Sequence, residues 1–347
     1  MHPLLRTLTI FGAASLLAGH ALAAQAGWRQ IEMAGTAPAA ATTVVALYYP
    51  TQAPERAIAM GPFTVNVAPQ AAPAPAVKGL ILLSHGTGGS ELGHSSLAEA
   101  LARAGYLVAA LRHPGDNWQD ATLLKNSPAR YFDERPRQAS RVIDALLHDP
   151  LWRDRIARDA HGPRIGALGH SAGGYTVLAL AGGEPDLARI RRHCAQERAE
   201  DPIFCNTGDS SRMAPAVPSS PTPPNAGPAD PRVRAVVALA PVGAVFSTES
   251  LARIRIPVAL YIADADRWLV PRFHGDRVAQ NVAGVEVHRV ANAGHFAFMD
   301  TPSIPLPSAD GDIGTNPPGF ERAAFLKQLA SELPTFFDRA FRDDIAR

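Results

Sequence analysis

Three consecutive stretches constrain this chain more than any other feature: "KGLILLSHG" from Lys78, "SSLAEALARAG" from Ser95 and "YLVAALRHPG" from Tyr106. The first and third are short, continuously apolar runs, as expected of strands buried on both faces, and the second has apolar residues at helical spacing with glycine at its end. Alternating strands and helices with continuously apolar strands imply a parallel sheet covered by helices on both faces. The same rhythm continues with a helix predicted over Arg135–His148 and a strand in "RIGALGHS". A short helix in "AGGYTVLALAGG" follows, then strands in "VRAVVALAP", "PVALYIAD" and "GVEVHRV", and a closing helix over Gly319–Phe341. Two earlier strands are expected in "WRQIEMAG" and "TTVVALYYP", followed by a proline- and alanine-punctuated connection from Pro54 to Val77. With 46% hydrophobic and 19% charged residues in 347, the chain can bury one large α/β core, and it shows neither repeats nor a second domain.

Two departures from the rhythm are visible. Between residues 183 and 230 a charged stretch gives way to "MAPAVPSSPTPPNAGPAD", which is too rich in proline for regular structure and reads as a surface insertion. Residues 301–320, "TPSIPLPSADGDIGTNPPGF", form a second excursion. The N-terminus combines Arg6, an apolar run from Leu8 to Gly19 and small residues at Ala21, Ala23 and Ala24, which is signal-peptide architecture. Cleavage after Ala23 or Ala26 fits the small-residue rule. The reading is therefore a signal peptide over about 1–24 and one domain over 25–347, periplasmic or secreted, with no stable membrane span after cleavage. Cys194 and Cys205 are the only cysteines, and export would place them where such a pair bridges. The net charge of +1, from 33 basic and 32 acidic residues, argues against a nucleic-acid partner.

Against this frame, "GALGHSAGGYT" places Ser171 between Gly169 and Gly173, at the turn from a strand into a helix. So tight a turn leaves no room for side chains at its flanking positions, and it lifts the serine hydroxyl above the carboxyl edge of the sheet. Ala172 then opens the helix, where its backbone N–H can stabilise a developing oxyanion. A second donor is expected from the loop "SHGTGG" after the earlier strand, and the Thr87 N–H is assigned that role. A serine nucleophile needs a histidine base oriented by a carboxylate. His295, in "ANAGHF" after the last strand, is the best placed of 12 histidines. The preceding strand ends in "ADADRWLVP", offering Asp264 and Asp266; Asp266 is favoured by the Val270-Pro271 that follows it. His85 and His113 are read as structural. Trp118, Tyr131, Phe132 and Trp268 are placed on loops at the mouth of a pocket. Nothing has metal-ligand spacing, and no cofactor is expected.

The ordered set "SHGTGG", "GHSAGG", "ADADRWLVP" and "AGHF" resembles the α/β-hydrolase superfamily, and within it the dienelactone hydrolase-like and platelet-activating-factor acetylhydrolase-like bacterial proteins. The resemblance spans roughly residues 78–340. It implies an α/β-hydrolase fold with a mostly parallel sheet of about eight strands, and hydrolysis of carboxylic esters through an acyl-enzyme without metal or organic cofactor. True dienelactone hydrolases use a cysteine where this chain has Ser171, so the name guides the fold better than the substrate. The expected substrate is a small-molecule or lipid-like ester. A lactonase, acyltransferase or peptidase uses the same residues, and a catalytically silent binding protein of this fold would lack one of them.

Overall fold

The computed structural model describes residues 24–34, 42–207 and 229–343. The expected signal peptide and the proline-rich half of the insertion lie outside the described residues. Strands β1 (Gln25–Met33) and β2 (Thr43–Thr51) pair antiparallel, and β3 (Arg56–Met60) and β4 (Phe63–Pro69) form a hairpin. Next come β5 (Leu80–Ser84), α1 (Ser95–Arg103), β6 (Leu107–Arg112), α2 (Thr122–Asn126) and α3 (Pro128–His148). A two-residue ladder of β7 (Arg158–Asp159) with β8 (Gly162–Pro163) leads to β9 (Ile165–His170) and α4 (Ala172–Leu180). The insertion begins with α5 (Leu187–Gln196) and α6 (Pro202–Thr207). The sheet resumes with β10 (Val233–Leu239), α7 (Thr248–Leu251), β11 (Val258–Ala263), α8 (Gly275–Asn281) and β12 (Glu286–Val290). A small ladder of β13 (Pro307–Ser308) with β14 (Gly311–Asp312) precedes the closing helix α9 (Arg322–Asp343).

One sheet runs in the order β12-β11-β10-β9-β5-β6-β2-β1-β4-β3. From β12 to β6 every neighbour is parallel, whereas β2 turns antiparallel against β6. The sheet thus has ten strands where about eight were expected. The two unexpected ones, β3 and β4, lie in the segment read as a connection. Its strand signal is an alternation, "FTVNV" with Phe63, Val65 and Val67 buried and Thr64 and Asn66 exposed, which the surrounding prolines and alanines mask. Helix α3 also starts seven residues before the expected Arg135, because Pro128 sits in the first turn, where its missing N–H costs nothing.

The continuous apolar runs have the predicted cause. In β5, Leu80 and Leu82 pack into the core under α3 and α4, and Ile81 and Leu83 into the core under α1 and α9. All nine residues of α4 are buried. The charged first half of the insertion, where the strand-helix rhythm breaks, is helical. Asp186 caps α5 by accepting from Arg189 N, and Ile190, His193 and Cys194 share its buried face. Cys194 and Cys205 form a disulfide that ties α5 to α6. Among the described residues, no helix is long and apolar enough to cross a membrane.

Candidate active site

The end of β9 and the start of α4 enclose Ser171 in a turn with φ +59° and ψ −117°, a conformation strained for a residue with a side chain. Backbone bonds hold it there: Ser171 N donates to Leu239 O at 2.9 Å, and Ser171 O accepts from Val242 N and Tyr175 N, each at 3.1 Å. Both flanking glycines are sterically required. A methyl group on Gly169 would lie 2.1 Å from Gly173 O, and one on Gly173 would lie 1.9 Å from Ser84 O.

Ser171, His295 and Asp266 come together from three loops at the carboxyl edge of the sheet. His295 opens a short 3-10 helix (His295–Phe298), and its Nε2 lies 3.0 Å from Ser171 Oγ. Its Nδ1 lies 2.7 Å from Asp266 Oδ2. A carboxylate only accepts, so Nδ1 carries the proton and Nε2 is left to accept from the serine hydroxyl. The other Asp266 oxygen accepts from Trp268 N and Leu269 N, each at 2.8 Å, which fixes the carboxylate in the turn after β11. All three residues are buried, at 8%, 5% and 6% exposure for Ser171, His295 and Asp266, so this chain of hydrogen bonds is largely withdrawn from solvent. Asp264 lies outside it, exposed and paired with Arg289 at 2.7 Å.

Ala172 follows the serine, Thr87 lies in the loop after β5, and both line the same cavity of about 510 Å³. Among the described residues, neither backbone N–H donates to a protein acceptor. The four aromatics expected on loops at the mouth, Trp118, Tyr131, Phe132 and Trp268, all line the cavity, but Tyr131 and Phe132 lie in α3 and are buried, so they belong to its packed wall rather than to a loop at its mouth. Trp118 is 64% exposed at the rim, while Trp268 stacks against His295 at 5.8 Å between ring centres. One wall comes from the insertion, with Ile190, Cys194, Phe204 and Thr207, and another from Leu306 and Ile313 of the second excursion.

His85 and His113 occupy buried hydrogen-bonded positions behind the Thr87 loop. His85 Nε2 accepts from His113 N at 3.1 Å, and His113 bridges Ser84 Oγ at 2.8 Å and Gln138 Oε1 at 2.7 Å. Burial, reinforced by the charge of Arg135, pushes His85 down to about 4 and His113 well below the usual histidine range, so both stay neutral. His170 pairs its Nε2 with the His295 carbonyl at 2.9 Å and thereby holds the backbone of the relay's histidine.

Several site-supporting residues were invisible to sequence reasoning. Arg135 and Asp116 form an ion pair with no exposed surface behind the Thr87 loop. Asp201, at the start of α6, lies 2.8 Å from His193 Nε2 and 2.9 Å from His274 Nε2, pinning the insertion to the loop that follows Asp266. His274 Nδ1 accepts from Gly243 N and Ala244 N, so Nε2 bears its proton and donates to Asp201. That tautomer leaves no Nε2 lone pair for a metal, although the three side chains lie within ligand reach of one another. Arginines on helices and charged residues in loops usually mark solvated surface, and no local spacing distinguishes these.

A profile of the alpha/beta hydrolase family matches residues 80–304. The chain belongs to the alpha/beta hydrolase family. No curated protein matches this family member by sequence. Among solved structures, it is similar to a ferulic acid esterase from Streptomyces cinnamoneus, at 20% identity and a TM-score of 0.57 over 93% of this chain and 91% of that one. A dienelactone hydrolase from Anabaena variabilis aligns at 15% identity and a TM-score of 0.49, over 91% of this chain and 99% of that one. At such identities the likeness concerns the fold. The family membership makes this hydrolase's serine-centred cavity the place to seek its chemistry.

Proposed function

We propose that this protein is an exported serine hydrolase that cleaves carboxylic esters through an acyl-enzyme. Ser171 Oγ attacks the ester carbonyl while His295 Nε2 takes its proton, and the tetrahedral oxyanion is received by the Thr87 and Ala172 N–H groups. His295 then gives the proton to the leaving alcohol, activates water for deacylation and is oriented throughout by Asp266. The observation that carries this reading is the unbroken relay from Ser171 Oγ through His295 to Asp266, at 3.0 and 2.7 Å, opening into an apolar cavity. That lining suits the acyl or aryl part of a small-molecule or lipid-like ester, with its carbonyl at the serine.

Export is supported by the Cys194–Cys205 disulfide. Cleavage after Ala23 leaves β1 whole, whereas cleavage after Ala26 removes its first two residues. The test of the chemistry is p-nitrophenyl ester hydrolysis together with fluorophosphonate labelling. Label is expected on Ser171 with loss of turnover, and wild-type turnover by Ser171→Ala would refute the assignment.

A further inference from the structure

An oxyanion donor works only if its peptide plane is held before the charge develops. We propose that the buried Arg135–Asp116 ion pair is the positioning device of the oxyanion hole, fixing the Thr87 loop and the first turn of α4 relative to each other. The proposal rests on the ester-hydrolase reading above.

The guanidinium of Arg135 spans both donor-bearing elements. Nη1 pairs with Asp116, and Nη2 donates to the His85 carbonyl and to Ser84 Oγ, at the end of β5. On the other side, Nε donates to Thr176 Oγ1 at 3.1 Å, and that hydroxyl donates to Ala172 O at 2.9 Å. Asp116 completes the clamp by accepting from Gly88 N at 2.9 Å, immediately beyond Thr87. One ion pair therefore grips the loop on both sides of the Thr87 donor and the helical turn that carries the Ala172 donor.

The Thr87 N–H belongs to the Gly86–Thr87 peptide, whose carbonyl accepts from Gly89 N at 3.1 Å and from His85 Nδ1 at 2.6 Å. In a trans peptide the N–H and C=O point in opposite directions, so anchoring Gly86 O turns the Thr87 N–H away from those anchors. His85 can donate from Nδ1 because Nε2 is occupied by the His113 N–H, and burial, reinforced by the neighbouring Arg135 charge, keeps the ring neutral. A buried ion pair is in general a poor source of stability, since desolvation offsets its attraction. Here its remaining hydrogen-bonding capacity is directed at the backbone and hydroxyl groups of these two elements.

The test compares full-length Asp116→Asn and Arg135→Lys with wild type on a p-nitrophenyl ester. It also measures inhibition by a trifluoromethyl ketone, whose serine adduct places an oxyanion in the hole. We expect kcat to fall roughly 10- to 100-fold with KM within about twofold, less than the loss of a donor outright. The inhibition constant of the ketone should rise by the same factor. Folded variants with wild-type kcat and ketone affinity would overturn the proposal. So would a fall in kcat matched by the folded fraction, with the remainder binding ketone normally, because that marks a merely structural pair. Should both variants fail to accumulate, Thr176→Val keeps the ion pair and removes only the link to Ala172. It is expected to weaken kcat and ketone binding together by about 3- to 10-fold, and no change in either overturns the clamp. Activity retained by Ser171→Ala would instead remove the ester-hydrolase reading on which the proposal stands.

Discussion

The foot and the roof of the cavity are built by different physics. At the foot, Ser171, His295, Thr87 and Ala172 sit in the turns and helix starts that follow the carboxyl ends of parallel strands, fixed by backbone hydrogen bonds and by glycines that no side chain can replace. The roof comes from α5 and α6, a segment outside the strand-helix rhythm, cross-linked by a disulfide and pinned to the body through Asp201. Under the proposed chemistry, rigid placement serves bond making, in which a displacement of about an ångström can cost 100-fold in rate. A separately anchored wall can vary in shape without disturbing that geometry, so changes at the foot should appear in kcat and changes at the roof in substrate preference.

The largest effect should follow Ser171→Ala, with turnover down about 10,000-fold or more while circular dichroism stays that of wild type. Asp266→Asn should cost about 1,000- to 10,000-fold in kcat, since it removes the acceptor that sets the His295 tautomer. Asp264→Asn, whose partner is Arg289, should stay within a few-fold. Equal damage from the two would break the assignment of the acid.

At the roof, converting both Cys194 and Cys205 to serine should leave kcat on a short ester within about twofold. It should raise KM several-fold for esters with bulky acyl groups, because both cysteines are buried beside the cavity wall. Thermal or urea unfolding should show a loss of about 2–3 kcal/mol, the scale for so short a ring. An unchanged substrate ranking would show that the roof does not select.

The smallest effect concerns acid stability. Burial would raise the Asp201 carboxyl, but the hydrogen bonds from His193 and His274 outweigh it and hold the group down to about 2. The unfolded chain, with an ordinary aspartate, therefore binds more protons between about pH 4 and pH 2. The contribution of Asp201 is present above that window and lost as the pH falls through it. It amounts to something on the order of 2 kcal/mol. Asp201→Asn should flatten the stability profile there, and an unaltered slope would remove Asp201 from the account.

Legibility in the sequence followed locality. The elbow around Ser171 was readable because its demands fall on adjacent residues, with glycines two positions either side, an apolar strand before and a helix after. His295 and the pair of aspartates were readable as loop residues after strands, in a fixed order along the chain. The choice between Asp264 and Asp266 was not settled by position, since both lie in one turn; the two main-chain donors at Trp268 and Leu269 aim Asp266 at the imidazole. The β3–β4 hairpin escaped because its short alternation is embedded among prolines and alanines. Helix α5 carried a signal in Asp186 and in the spacing of Leu187, Ile190 and Cys194, obscured by its arginines.

By itself, then, the sequence determined the parallel sheet and the tight strand-to-helix turn that carries Ser171, because each depends on residues within a few positions of one another. Tertiary structure decided which carboxylate reaches the histidine and which segment roofs the cavity. It also brought Arg135 and Asp116, nineteen positions apart, together behind the Thr87 loop. Those outcomes depend on where separate strands and helices come to lie when the core is packed, and no spacing along the chain encodes that distance.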